Sequence, residues 1–365
     1  MRRVTTATAH PVLIRSDKLM LGGGAVLIVA SGLAHYAGWA SGLAFVLAAA
    51  AMSVLAAFVG LCVEQLGDRF GPGATGVLQS ALGNLPELFI CIFALRAGLV
   101  DVVRAALIGS ILANLLLVLG LAFLVGGLRH GTQQLGSERA RTIVVLMTLS
   151  VIAMTIPSLT HHLHTPAEQH EATFSVIVSI ILLGLFALSL PFSLRRDTSG
   201  TSESVAPEKE APRWPLFLAI GMLAVAGAAA AFVSDWFVAA LEPSMESAGI
   251  SEAFAGLVIV AIAGNAIENV VGIQLAAKGQ SEYAFSVVLN SPIQIALVLA
   301  PLLVLISQVF GLASLTLVFS PLLVVVLVVS VLLAAMIALD GESTWLEGAT
   351  LVALYAIIAT AFWWG

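Results

Sequence analysis

Apolar stretches long enough to cross a bilayer follow one another along nearly the whole chain, separated by short polar breaks. The hydrophobic pattern predicts eleven membrane-spanning helices, near 19–35, 42–63, 73–97, 102–126, 141–157, 172–193, 214–234, 251–277, 283–306, 314–338 and 346–364. Roughly 20 apolar residues of helix are needed to span the hydrocarbon core. The first two spans form one apolar run, split at "HYAGWASG" by glycine and interfacial aromatic residues. One hydrophilic linker, residues 195–213, divides the spans six and five, and its Ser, Pro and charge content marks it as solvated. The expected organisation is a tail and extra first helix at 1–41, a five-helix unit at 42–194, the linker, and a second five-helix unit at 214–365.

Composition narrows the class. The 365 residues are 60% hydrophobic and only 10% charged, against about 25% charged in ordinary soluble domains. This defines an all-α polytopic membrane protein whose partner is the lipid bilayer, and nothing in it points to nucleic acid. Cys62 and Cys91 fit no CxxC spacing and read as small core residues. The basic start "MRRVTTATAHPVLIRSDK" lacks a small-residue cleavage site, so it reads as a retained cytoplasmic tail. With the N-terminus in the cytoplasm, thirteen of the fifteen Lys and Arg residues fall on the inside, leaving Arg96 and Arg104 outside. The C-terminus then lies on the opposite side. The outer segments carry His161, His162, His164, Glu168, His170 and Glu171, and later Asp235, Glu242 and Glu246. The histidines lack a clear HxxxH pair with a carboxylate, so an exposed or pH-sensing loop is favoured over a zinc site.

Within the apolar spans two short motifs stand out. "GNLPELF" places Gly83, Asn84 and Glu87 at the spacing that Gly264, Asn265 and Glu268 repeat in "GNAIENV". The offset of 181 residues also maps Gly98 onto Gly279, Asp101 onto Glu282 and Ser110 onto Ser291. The copies open spans three and eight. An odd separation reverses their direction through the membrane, which is the sequence signature of an inverted repeat, with the substrate site where the repeats meet. An acidic residue at a helix centre costs about 2.5–3.5 kcal/mol on insertion scales. Two of them at equivalent positions, with no Lys or Arg deep in any span, point to a shared use. One divalent cation, or protons, would neutralise the pair, and competition between the two is the minimum chemistry of a cation/proton antiporter. Calcium suits such a site, since it takes six to eight oxygens from carboxylates, amides and carbonyls. Asn84 and Asn265 offer amide oxygens beside the glutamates, and Asn269, Asn290 and Gln294 offer others. Gly83, Gly264, Ser110 and Ser291 are candidates to line the cavity. Glycine and serine in membrane helices also serve as packing residues, and Asn and Gln as interhelical hydrogen-bonding groups.

These motifs carry a resemblance. "GNLPELFICIFALRAGLVDVVRAALIGSILANLLLVLG" closely resembles the first signature repeat of the calcium/proton exchangers, the CAX branch of the calcium/cation antiporter superfamily. "GLVIVAIAGNAIENVVGIQLAAKGQSEYAFSVVLNSPIQIALVLAPLLVLIS" resembles the second. The resemblance implies an extra first helix before two inverted five-helix repeats. It also implies calcium and protons as substrates, with Glu87 and Glu268 as their shared metal and proton site and Asn84 and Asn265 beside them. No cofactor is implied, a prokaryotic cell membrane is the expected location, and homo-oligomers are compatible with it. A sodium-coupled or broader-specificity exchanger of the same superfamily is the alternative. A channel is disfavoured because no carbonyl-filter loop or charged ring is present, and an enzyme is disfavoured further.

The chain departs from the family pattern where GNATE becomes Gly83-Asn84-Leu85-Pro86-Glu87, where Asn269 replaces the histidine of GNAAEH, and where GSSIQ becomes Asn290-Ser291-Pro292-Ile293-Gln294. Asn269→His would restore a group titrating near pH 6.5. It should shift the ratio of calcium to other cations carried, or the pH dependence of transport, in competition flux assays. An unchanged cation profile and pH curve would reduce position 269 to packing.

Overall fold

The computed structural model describes residues 12–70, 78, 82–135, 138–196 and 213–364. Lipid offers no hydrogen bonds, so an apolar chain closes its backbone groups within helices. The described residues form α1 (Arg15–Tyr36), α2 (Ser41–Phe70), α3 (Leu85–Arg96), α4 (Val100–His130), α5 (Glu138–His162), α6 (Glu171–Arg196), α7 (Leu216–Ala248), α8 (Glu252–Gly264), α9 (Ala266–Ala277), α10 (Ser281–Val309), α11 (Pro321–Asp340) and α12 (Trp345–Ala361). Eight of these are long and apolar enough to cross a membrane, and α8 and α12 are shorter apolar helices. The protein is therefore a helical, multi-pass membrane protein. Residues 1–11 of the expected tail, residues 73–77 and 79–81 of the third span, and linker residues 197–212 lie outside the described residues.

Local sequence sets the ends. Ser320 caps α11 by accepting from Leu323 N–H, with Pro321 at the first position, where a missing donor costs nothing. Thr344 and Glu347 form a reciprocal capping box on α12. Gly98 (φ 84°) and Gly279 (φ 77°) turn the chain after α3 and α9 in a left-handed conformation that favours glycine. A two-residue antiparallel pair, β1 (Gln133–Gln134) with β2 (Glu342–Ser343), joins the end of α4 to the α11–α12 turn.

Burial separates centre from periphery. The apolar windows of α4 and α10 are 78% and 67% buried, whereas those of α1 and α6 are 22% and 17% buried. α4 and α8 cross in near contact. A Cβ at Gly109 would lie 2.3 Å from the Leu257 carbonyl oxygen, and one at Gly256 would lie 2.2 Å from that of Val102. At the start of α7, Arg213 pairs with Asp17 of α1 at 3.2 Å, and Arg69 of α2 donates to the Trp214 carbonyl. Gln65 Oε1 accepts from the N–H groups of Arg213 and Trp214 at 3.0 and 3.2 Å, and the Trp214 side chain is fully buried.

Three expectations need correction. The tenth span begins at Pro321, not 314. Leu315, Leu317 and Phe319 are buried but not helical, and serine hydroxyls of neighbouring helices replace the missing backbone bonds. Ser307 accepts from Leu315 N–H, Ser175 from Leu317 N–H and Ser158 from Phe319 N–H, at 3.0–3.1 Å. The seventh span extends past 234 to Ala248, so Asp235, Glu242 and Glu246 lie on α7 rather than in a loop. The eighth is not continuous, because it breaks at Asn265 between α8 and α9.

Because backbone meets backbone at the α4–α8 crossing, even one methyl group there forces the helices apart, at a cost of about 1–3 kcal/mol for overpacking. Gly109→Ala and Gly256→Ala should lower the melting temperature of the detergent-purified protein. Gly22→Ala, with nothing within 4 Å of its added carbon, should not. Melting curves that rank the three alike would remove the crossing as a constraint.

Candidate functional site

The first motif interrupts the chain with a turn at Gly83 and Asn84, after which α3 begins. Asn84 (φ −91°, ψ 14°) and Asn265 (φ −105°, ψ 21°) occupy the same sparsely populated backbone region, each immediately before a helix. Glu87 is the third residue of α3 and Glu268 the third of α9. A first-turn position of this kind lies at the positive dipole end of its helix, where negative charge is favoured. Pro86 is harmless there, since its missing N–H belongs to the first turn.

Glu87 is fully buried. The Ser110 hydroxyl of α4 donates to its Oε1, and Asn265 Nδ2 lies 3.5 Å from its Oε2. The same amide donates to Ser110 Oγ at 3.0 Å and to the Ala261 carbonyl at 3.0 Å. Gly264 provides the space, for a Cβ there would lie 3.2 and 3.3 Å from Cβ and Cγ of Glu87. The glutamate of the first motif thus lies across the glycine of the second and meets its asparagine. In the reverse direction, Asn84 Nδ2 donates to Gln294 Oε1 of α10 at 3.3 Å.

Asn114 completes this chain of contacts. It stands one turn beyond Ser110, donating to the Ser110 carbonyl at 2.9 Å and to Ser291 Oγ of α10 at 3.2 Å. Asn114 Oδ1 and Asn265 Oδ1 are buried without a hydrogen-bond partner among the described residues. An unmet buried acceptor costs about 1–3 kcal/mol, and amide oxygens are what a hard cation takes as ligands. Both α4 and α10 relax into a π-helical turn just here, at Ala113–Val118 and Ile295–Leu299, a distortion frequent at functional sites.

Of the residues singled out in the sequence, Glu87, Asn84, Asn265, Ser110, Ser291, Gln294 and Gly264 come together. Gly83 forms the turn before Asn84, and Asn290 is half-buried one turn before Gln294. Glu268 and Asn269 lie on α9, and their side chains fall outside the described residues. Asn114 escaped the sequence reading because the 181-residue offset pairs it with Ile295. Its signal was the four-residue spacing from Ser110 on one helix face.

Interrupted helices meeting at a buried, oxygen-rich site define a membrane carrier architecture. The family described as "Sodium/calcium exchanger protein" matches residues 40–195 and 218–364, and the chain belongs to that family. It is 36% identical to a Ca(2+)/H(+) antiporter of Synechocystis sp. over 346 residues, 90% of this chain and 93% of the relative. It is also 36% identical to the Ca(2+)/H(+) antiporter ChaA of Bacillus subtilis over 348 residues, 94% of this chain and 97% of the relative. The solved structure of native YfkE superposes with a TM-score of 0.79 at 34% identity, covering 95% of this chain and 99% of the other.

If the orphaned amide oxygens serve a cation, replacing Asn114 by the similar-sized leucine removes one of them together with the Ser291 link. Asn114→Leu should weaken cation binding by about tenfold, within the range for residues around a metal. Thermal stabilisation of the purified protein titrated with calcium, magnesium and manganese would measure it. Undiminished stabilisation by every ion would take Asn114 out of the site.

Proposed function

We propose that this protein is a secondary active antiporter that exchanges calcium for protons by alternating access, with Glu87 and Glu268 as the shared cation and proton site. The observation that carries the reading is the burial of Glu87 against Ser110 and Asn265, where the first motif reaches across to the second. The Ca(2+)/H(+) antiporter relatives support calcium and protons as the substrates. They are transporters, and an enzymatic activity is not part of the reading.

The finer architecture belongs to the same proposal. Eleven spans comprise an extra helix within residues 1–41 and two inverted five-helix units, 42–194 and 214–365, joined by the cytoplasmic linker 195–213. Three equivalences at the sequence offset support the repeat: the matching turns at Asn84 and Asn265, the left-handed glycines 98 and 279, and the π-turns after Ser110 and Ser291. The N-terminus lies in the cytoplasm of a prokaryotic cell and the C-terminus outside, as the placement of Lys and Arg supports.

The mechanism follows from charge. An empty site with two carboxylates is doubly negative, and moving it through a dry interior is costly. Occupied by one divalent ion, or by a proton on each carboxylate, it is neutral. The carrier therefore changes its face only when loaded with one or the other, and this coupling is the exchange. Asn84, Asn265 and Asn114 supply amide oxygens, Ser110 and Ser291 hydroxyls, and Gln294 holds Asn84. Two protons per calcium leave the cycle electroneutral. Losing the family histidine at Asn269 removes one candidate for a third.

Glu87→Gln and Glu268→Gln should each abolish exchange while the protein still reaches the membrane, because an amide neither balances a divalent charge nor takes a proton at working pH. Calcium flux in proteoliposomes, driven by a pH gradient with sodium replaced by choline, tests this. Flux that requires sodium would favour the sodium-coupled alternative, and a steep dependence on membrane potential would defeat the two-proton cycle.

A further inference from the structure

The 161–170 histidines take no part in the site above, yet three of them are built into a chain of contacts. His161, at the end of α5, has a buried Nδ1 with no hydrogen-bond partner among the described residues. That nitrogen lies 3.4 Å from Glu171 Oε2 at the start of α6 and 3.7 Å from Glu168 Oε1 in the 3-10 turn Pro166–His170. The other oxygen of Glu168 is 3.1 Å from His164 Nδ1. His164 is held at φ 52°, the one positive φ of a non-glycine residue among those described, a strained conformation that the surroundings must sustain. The other oxygen of Glu171 accepts from Thr316 Oγ1 at 2.5 Å. Thr316 in turn accepts from Arg104 Nη2 at 3.0 Å, and Arg104 pairs with Asp101 at 3.0 Å. Arg104 is on α4, six residues before Ser110, whose hydroxyl bonds Glu87.

From this geometry we infer that the cluster is a proton-sensing strap on the face of the membrane that carries residues 161–171, and that it links His161 through Glu171, Thr316 and Arg104 to the site-bearing helix α4. A neutral imidazole has one N–H, so His161 either aims a lone pair at two carboxylates or leaves its other nitrogen without the proton. The imidazolium donates at both nitrogens. Its proton takes the His161–Glu168–Glu171 group from a formal charge of −2 to −1 and sets a positive ring against both carboxylates, whose nearest oxygens lie 3.4 and 3.7 Å from Nδ1. The other titratable groups facing it are His162, whose ring stands edge-on at 5.2 Å and whose Nε2 lies 2.8 Å from the Phe319 carbonyl, and His164 through Glu168. His170 is exposed on the same turn. Loss of the proton leaves two carboxylates repelling each other, and Glu171 then tightens on Thr316 or withdraws from it. Either movement acts on α4 through Arg104. The imidazole is suited to this task because its charge changes between about pH 5 and 8.

This inference rests on the antiport reading. The experiment is calcium exchange in proteoliposomes of known orientation, read from initial rates with the pH of one face varied while that of the other is held constant, and then the reverse. Protons competing at the buried glutamates give one pH dependence, shared by every functional variant. The strap adds a second, confined to the face of residues 161–171, which changes half-saturating calcium by about fivefold in the wild type and by less than about twofold in His161→Gln and in Thr316→Val, at the low end of allosteric couplings. Thr316→Val keeps every titratable group and cuts only the link, so it decides the matter if His161→Gln is not recovered folded. His170→Gln should behave as the wild type. Exchange with an unaltered pH profile in His161→Gln or Thr316→Val would overturn the strap and leave the antiport reading standing. Absence of exchange at any pH would overturn both.

Discussion

A carboxylate buried inside a helical membrane protein has to be compensated where it stands, and the architecture around Glu87 is organised by that requirement. Its own helix begins two residues earlier, so it stands in the first turn, at the positive end of the dipole. A hydroxyl from α4 and an amide from the second motif reach it from two other elements. None of these donors could approach if the chain ran through the motifs as continuous helix. The turns at Asn84 and Asn265 are therefore the condition for placing charge here at all. Helix breaks inside a membrane persist only where other groups satisfy the freed backbone.

The same constraint explains the glycines. Gly264 leaves room for the stem of Glu87, while Gly109 and Gly256 let α4 and α8 approach until backbone faces backbone. Close approach brings Ser110 and Asn265 within 3.0 Å of each other, a separation that a bulkier crossing would prevent. α8 is itself π-helical over Ala255–Val260, through the crossing, and α4 and α10 carry π-turns at Ala113–Val118 and Ile295–Leu299. Three helices around the site thus combine close packing with irregular hydrogen bonding, which gives an alternating-access carrier deformable segments beside its site.

Much of this was legible in the sequence. The repeated Gly–Asn–Glu spacing marked both site motifs, because a membrane glutamate is too costly to be idle, although the spans drawn through them were continuous and the break at Asn265 was not foreseen. Hydropathy also located the long helices. It failed where polarity and conformation part company. Leu315, Leu317 and Phe319 are as apolar as any helix, but their backbone is held by the hydroxyl of Ser307, eight residues back, and by those of Ser175 and Ser158 from remote parts of the chain. The end of α7 was misplaced in the opposite sense, since Asp235, Glu242 and Glu246 are polar yet helical. Asn114 was invisible to a search by repeat symmetry because the symmetry is broken at that position. What the sequence hides is thus contact between distant segments, which no local pattern encodes.

The contacts at Arg213 and Trp214 bear on how α7 is held against α1 and α2. Asp17, Gln65 and Arg69 seize the chain at the entrance to α7 through one ion pair and three backbone hydrogen bonds. This clasp fixes where α7 begins, and the extensive packing of α7 along α2 continues from that point. Lengthening a loop adds only about 0.6 kcal/mol of closure entropy per doubling. A longer or shorter span of chain between residues 196 and 213 is therefore expected to leave the docking of α7 on α1 and α2 where it is.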